Sequence, residues 1–160
     1  MNDYATIETL IGTIGVRTNS KGVYRLHLAN DLNYTEAETS YNNQSPILKN
    51  ALKQLREYFY ENRTTFSVSL DLQMPPFYKK ALLEVAKISF GKTVSYQEIA
   101  RRAGNAKASR AAGSANANNP IAIFIPCHRI LASDGTLGGY GGGLDKKMIL
   151  LEHEGLDVRL

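Results

Sequence analysis

Tryptophan is absent from this 160-residue chain, proline occurs five times and cysteine once. With Cys127 as the only thiol, no disulfide can close within the chain and no cysteine-based structural zinc site can be assembled. Cys127 is therefore a free thiol, which suits a reducing compartment. No apolar run approaches the roughly 18 residues of a membrane span. The opening Met-Asn-Asp-Tyr-Ala-Thr has neither a basic region nor an apolar leader. These absences lead us to expect a cytoplasmic protein, or a nuclear one in a eukaryote, built as one globular domain or two small ones.

Acidic residues are scarce in one stretch. Residues 1–72 carry seven Lys/Arg against eight Asp/Glu, whereas 73–160 carry twelve against seven; between Lys79 and Arg110 the count is eight to two. Such a stretch favours a polyanion through counterion release, although a merely solvated surface has the same composition.

The first third has the pattern of β-structure. Ile7 to Thr18 and Val23 to Leu28 flank the turn-forming Asn19-Ser20-Lys21-Gly22, which signals a hairpin. Asn30 to Gln44 is polar and reads as a long loop with freedom to move. Ser45-Pro46 supplies an N-cap and a first-turn proline, and Leu48, Ala51, Leu52, Leu55 and Phe59 recur at helical spacing, predicting a helix over 46–61. Phe66, Val68, Leu70 and Leu72 alternate with polar residues, predicting a strand.

Met74-Pro75-Pro76 breaks the chain where the charge balance changes, so we expect domains over 1–73 and 74–160. Tyr78, Ala81, Leu82 and Val85 predict a helix. Ser95-Tyr96-Gln97-Glu98 has the form of a capping box opening another helix, closed by Gly104. A second short helix carries an alanine face of Ala108, Ala111, Ala112 and Ala115. Two short helices across a tight glycine turn make a helix-turn-helix pattern. Its second helix would expose Ser109, Arg110, Gly113, Ser114 and Asn116, small or polar groups that allow close approach to phosphates.

Ile121-Ala122-Ile123-Phe124-Ile125 is an apolar run enclosed by Pro120 and Pro126, and Cys127-His128-Arg129 follows directly. A lone cysteine is by itself an inert packed side chain. A following histidine and arginine are, however, the features that could hold a thiolate, provided the segment is a turn, or a water bridges Cys127 and His128, because neighbours on a strand point apart. Downstream, Gly135 to Gly143 holds six glycines in nine residues, whose unobstructed amides could donate to a ligand oxygen; a flexible spacer is the alternative, against which Tyr140 counts. Leu144 to Glu154 predicts a helix stopped by Gly155. Glu154 sits in its last turn, where the helix dipole disfavours a carboxylate, and so invites a partner. The imidazole of His128 would serve, giving a Cys-His-Glu relay.

Taken together, Ser95-Tyr96-Gln97-Glu98-Ile99-Ala100, Ser109-Arg110-Ala111, Asn119-Pro120, Ile125-Pro126-Cys127-His128-Arg129-Ile130, Gly139-Tyr140-Gly141-Gly142 and His153-Glu154-Gly155 resemble the O6-alkylguanine-DNA alkyltransferases, also called methylated-DNA-protein-cysteine methyltransferases. The match runs from about Phe77 to Gly155. The resemblance implies an α/β (α+β) fold: an N-terminal ribonuclease-H-like sheet-and-helix domain, then a helical, winged-helix-like DNA-binding domain with the helix-turn-helix. It implies single-turnover transfer of an alkyl group from O6-alkylguanine, and from O4-alkylthymine, to Cys127 after the base is flipped from the duplex. By position, Arg110 would fill the vacated stack, Tyr96 would help rotate the nucleotide, and Asn119 would brace the turn presenting Cys127. His128, a water and Glu154 would move the proton. Backbone carbonyls of Cys127 and Ile130 would accept from the guanine amino group, and Tyr140 with the Gly141 amide would border the alkyl group and O6. Family members that bind zinc do so through N-terminal cysteines that this chain lacks, so we expect no metal and no cofactor. The implied partner is double-stranded DNA, met by a monomer. Three rival readings remain at this point: a lesion binder that transfers nothing, a helix-turn-helix transcription factor, and a cysteine hydrolase using Cys127, His128 and Glu154.

Overall fold

The computed structural model describes residues 2–158. The chain divides into two compact units, Met1–Leu72 and Gln73–Leu160.

In the first unit, strands β1 (Asp3–Thr9), β2 (Gly12–Thr18) and β3 (Val23–His27) form an antiparallel sheet in that order. The turn between β2 and β3 is the expected one: the Asn19 side-chain oxygen accepts from the amides of Lys21 and Gly22. The predicted strand-rich segment from Ile7 is instead cut by a second turn at Leu10-Ile11. There the Thr9 hydroxyl accepts from the Ile11 amide and donates to the Gly12 carbonyl, while Gly12 adopts φ 96°.

Helix α1 (Pro46–Tyr60) begins as its cap requires, with the Ser45 Oγ accepting from the Leu48 amide at 3.1 Å. It lays Leu48, Ala51, Leu52, Leu55, Tyr58 and Phe59 against the sheet. The predicted strand over 66–72 keeps its alternation of exposure but shrinks to one parallel bridge between Leu70 and Val23. The reason lies in α1: Gln54 Oε1 accepts from the Ser67 amide, a bond a sheet partner would otherwise supply, while Gln54 Nε2 donates to the Ser67 hydroxyl. The loop expected to move is tied down as well. Thr39 and Tyr4 exchange hydrogen bonds, Glu38 accepts from the Thr6 amide, and Glu36 pairs with Arg17 at 2.7 Å.

The second unit opens with α2 (Pro76–Val85), continues through a two-residue strand β4 (Val94–Ser95) into α3 (Tyr96–Arg102), and then α4 (Ser109–Ala117). Ser95 caps α3 by accepting from the Glu98 amide, but the Glu98 carboxylate turns to Arg101 and Arg102 instead of completing the capping box. Gly104, at φ 99°, begins the turn into α4. Ala81, Ala100, Ala112 and Ala115 are buried where α2, α3 and α4 meet, and their small size lets three short helices share one core. A single 3₁₀ turn, Cys127–Arg129, leads into β5 (Ile130–Leu131), and α5 (Leu144–His153) closes the unit. Among the described residues, no helix is long and apolar enough to cross a membrane.

Candidate active site

The path to Cys127 is a fold-back of apolar chain. Ile121 to Ile125 are all buried, with the Ile125 amide donating to the Ile121 carbonyl at 3.0 Å. Ile123 takes a positive φ of 74°, which costs a β-branched residue about 1–3 kcal/mol. Burial of the surrounding run offsets that strain. The Asn119 side chain clips both ends of the fold-back, accepting from the Ile121 amide at 3.0 Å and donating to the Ile125 carbonyl at 2.9 Å. The Cys127–Arg129 turn follows, closed by the Ile130 amide on the Cys127 carbonyl. A turn is the geometry that cooperation between adjacent Cys127 and His128 required.

Strand β5 pairs in parallel with β4, Val94 with Ile130 and Ser95 with Leu131. This short pairing joins the residues just after the Cys127–Arg129 turn to the residues just before Tyr96. The Tyr96 ring then lies between two glycines: a Cβ on Gly113 would sit 3.7 Å from it, and one on Gly138 would come within 2.9 Å of the phenol oxygen.

His128, Arg129 and Glu154 form a buried cluster. His128 Nε2 lies 2.8 Å from one Glu154 oxygen; Arg129 donates Nε and Nη2 to the two oxygens at 2.8 Å each and Nη1 to the Ile88 carbonyl at 2.6 Å. The Gly91 amide adds a further donor to the carboxylate. A carboxylate that accepts a bidentate arginine is ionised and can only accept, so Nε2 carries the hydrogen. Nδ1 is then the basic nitrogen of the neutral ring, and it is buried without a protein partner. Burial lowers the proton affinity of His128, against the opposing pull of Glu154, and keeps the imidazole neutral at rest.

Arg129 thus differs from its sequence reading: it serves Glu154 and Ile88, not the thiol. The thiol itself is 5% exposed, and burial pushes its pKa up, opposed by the adjacent Asn119 side chain and by Lys147. Burial thus opposes the thiolate that the neighbours of Cys127 could hold.

A cavity of about 770 Å³ opens beside this turn, lined by Tyr96, Ser109, Arg110, Ser114, Tyr140 and Gly141 among others. Asn116 also lines it but does not stand on the exposed side of α4 as predicted. It is 8% exposed, and its amide nitrogen donates to the Cys127 carbonyl at 3.2 Å. The helix turns Asn116 inward because it follows the buried Ala112 and Ala115 on the same face. Cys127 is not part of the lining; Asn116 connects its turn to the cavity. The two carbonyls expected to meet a guanine amino group are already engaged, that of Cys127 by Ile130 and Asn116, and that of Ile130 by Lys147 at 2.6 Å.

Lys147 escaped the sequence reading. It is fully buried in α5, and its ammonium donates to the carbonyls of Ile130, Leu137 and Gly139. Burial lowers its pKa to about 8. One signal was present: Lys147, Leu150 and Leu151 share the helical spacing of a buried face.

A two-domain chain with a helix-turn-helix and a buried turn in which Cys127 precedes a His128 paired with Glu154 defines a narrow class of protein. The model of the 6-O-methylguanine DNA methyltransferase ribonuclease-like domain matches residues 3–72, and that of its DNA binding domain matches residues 76–156. The chain belongs to the 6-O-methylguanine DNA methyltransferase family. A methylated-DNA–protein-cysteine methyltransferase of Mycolicibacterium paratuberculosis is 37% identical, over 96% of this chain and 93% of that protein. The constitutive enzyme of that name from Bacillus subtilis is 36% identical over 99% of each chain. The crystal structure of Mycobacterium tuberculosis OGT in complex with DNA superposes with a TM-score of 0.84 at 36% identity, covering 94% of this chain and 91% of that one.

Proposed function

We propose that this chain repairs DNA by direct reversal, taking the alkyl group from O6 of guanine, or O4 of thymine, onto Cys127 once per molecule. The observation that carries the reading is Asn116, which lines a cavity walled by Tyr96, Arg110 and the Tyr140-Gly141 segment and donates to the carbonyl of Cys127, next to a His128 held by ionised Glu154. Its volume of about 770 Å³ lies within the range of small-ligand pockets, roughly 300–1,000 Å³.

In this reading, exposed Arg110 fills the stack from which the base is drawn, and Tyr96 helps rotate the nucleotide. Ser109 and Ser114 approach phosphates, while Asn119 and Asn116 hold the reactive turn from its two sides. Ile130 borders the base through its backbone. As the base enters, the thiol proton passes through a water to Nδ1 of His128, and Glu154 supports the imidazolium that results. The sulfur attacks the alkyl carbon in line; the S–C bond forms as the C–O6 bond breaks, and guanine leaves with its charge met by donors at Tyr96 and the Gly141 amide. The product is a thioether that no group here hydrolyses, so each molecule acts once. The step calls for no metal or cofactor and for one protein molecule per lesion, working on duplex DNA in the cytoplasm.

Intact mass after incubation with a duplex containing one O6-methylguanine tests the proposal, beside an undamaged duplex and Cys127→Ala. The expected result is a gain of one methylene unit, at most once per chain and absent from both controls. Tight binding to the lesion without mass gain would make the chain a lesion binder, and neither binding nor gain would sink the repair reading altogether.

A further inference from the structure

Asn116 uses half of its carboxamide. Its Nδ2 donates to the Cys127 carbonyl at 3.2 Å, while its Oδ1 is buried without a hydrogen-bond partner among the described protein groups. The side chain is 8% exposed and belongs to the lining of the cavity, with Tyr96, Arg110 and Tyr140. The bond to Cys127 fixes the orientation of the amide, because a carbonyl only accepts and so must face Nδ2. That carbonyl already accepts from the Ile130 amide and does not need a second donor. A leucine would cover the same face of α4, beside Ala112 and Ala115, without burying an unpaired acceptor, so packing alone does not account for an asparagine here.

The proposed lesion has one group that fits. Guanine alkylated at O6 has lost the hydrogen on N1, so its ring nitrogens and O6 only accept, and the 2-amino group is its single N–H donor. The backbone carbonyls that could have met that amino group are engaged, that of Cys127 by Ile130 and Asn116, and that of Ile130 by Lys147. The hydroxyls of Tyr96, Ser109 and Ser114 in the same lining can donate as well as accept and so suit the acceptors of the base; Oδ1 of Asn116 can only accept.

We infer that Asn116 reads the 2-amino group of the flipped base through Oδ1 and thereby ranks O6-alkylguanine above O4-alkylthymine. Thymine alkylated at O4 has no N–H donor left and offers O2, an acceptor, so Oδ1 would face a lone pair instead of a hydrogen. The inference rests on the repair reading of this cavity and deepens it by naming the group that chooses between its two substrates. Asn116 touches the base and takes no part in breaking the C–O bond.

The test compares wild type, Asn116→Leu and Asn116→Asp on duplexes carrying O6-methylguanine or O6-methylhypoxanthine, the same base without its 2-amino group, with the rate of transfer read by intact mass. Wild type should prefer O6-methylguanine by at least about tenfold, and Asn116→Leu should bring that preference close to one. Pairing differences between the two duplexes are common to all three proteins and cancel in the ratio of preferences. Asn116→Asp, which keeps Oδ1, should retain most of the preference even where its overall rate falls. O4-methylthymine should gain on O6-methylguanine in Asn116→Leu by a similar factor. A rate loss in Asn116→Leu shared equally by both purines, with the preference intact, would make Asn116 a brace for the Cys127 turn only and overturn the inference. Wild type that does not distinguish the two purines would overturn it too, as would Asn116→Asp losing the preference as fully as Asn116→Leu. Should the variants fail to fold, NMR of Cys127→Ala decides: the side-chain carbonyl carbon of Asn116 should shift on binding the O6-methylguanine duplex and not on binding its O6-methylhypoxanthine counterpart, and equal responses would overturn the inference. Wild type that takes a methyl group from neither duplex would refute the repair reading and leave the same NMR comparison to decide the role of Asn116.

Discussion

Glu154 grips Arg129 with both oxygens, Nε on one and Nη2 on the other, at 2.8 Å each, and offers the same carboxylate to His128. One buried anion therefore neutralises a structural cation and orients a proton acceptor. Glu154→Gln would leave Arg129 buried without a counter-charge, a loss of about 3–5 kcal/mol for a broken buried pair. Urea unfolding should show that loss, and Glu154→Gln combined with Arg129→Met should recover part of it. Full stability in the single variant would mean that Arg129 is solvated.

The neutrality of His128 sets a pH dependence. Burial lowers its pKa below the ordinary 6.5, so as pH falls the unfolded chain takes the proton before the folded one does. The contribution to stability is whole above the unfolded value and is lost as pH falls from there through the folded value. The urea midpoint should decline below about pH 6.5, and His128→Gln should flatten that decline. A decline unaltered in His128→Gln would assign it to other groups.

Gly138 is required by Tyr96. With φ at +69° and only 2.9 Å between a would-be Cβ and the phenol oxygen, Gly138→Ala must move the ring or the loop. Transfer from duplex DNA should fall by at least about tenfold, the cost of roughly 1.4 kcal/mol at the reacting geometry. Iodoacetamide, which needs no tyrosine, should react with Cys127 nearly as before. Equal losses in both assays would place the damage at the thiol instead.

Arg110 is exposed at the cavity and lies outside the buried cluster. Arg110→Ala should therefore impair transfer from a duplex while leaving thiol alkylation unchanged, and the loss should shrink on a single-stranded substrate whose lesion is already unstacked. Wild-type transfer from duplex DNA would remove Arg110 from the flipping step. Binding to DNA should weaken as salt rises, with one phosphate-contacting cation accounting for a slope change of about one.

Much of the architecture was legible because it is local. Ser45-Pro46 and the spacing of Leu48, Leu52, Leu55 and Phe59 suffice to place α1 within a residue. Ser95 starts α3 where its hydroxyl can cap it. The turn at Leu10-Ile11 was illegible for the same reason: apolar residues stand where glycine or asparagine would signal a turn, and only Thr9 and Gly12 shape it. The strand over 66–72 failed differently, since its period was right but the Gln54 side chain took the hydrogen bonds of Ser67.

Around Cys127 the division is sharper. By itself the sequence determined the residue types, the helix-turn-helix spacing, the closure of the last helix at Gly155 and the candidate partnership of His128 with Glu154, because caps, periods and glycine stops act over a few residues. Only the tertiary structure decided that Arg129 turns to Glu154, that Asn116 faces inward to the Cys127 carbonyl, and that Lys147 enters the core to bind Ile130, Leu137 and Gly139. Those choices depend on which polar groups must be satisfied once water is excluded, and that is a property of residues brought together from distant parts of the chain.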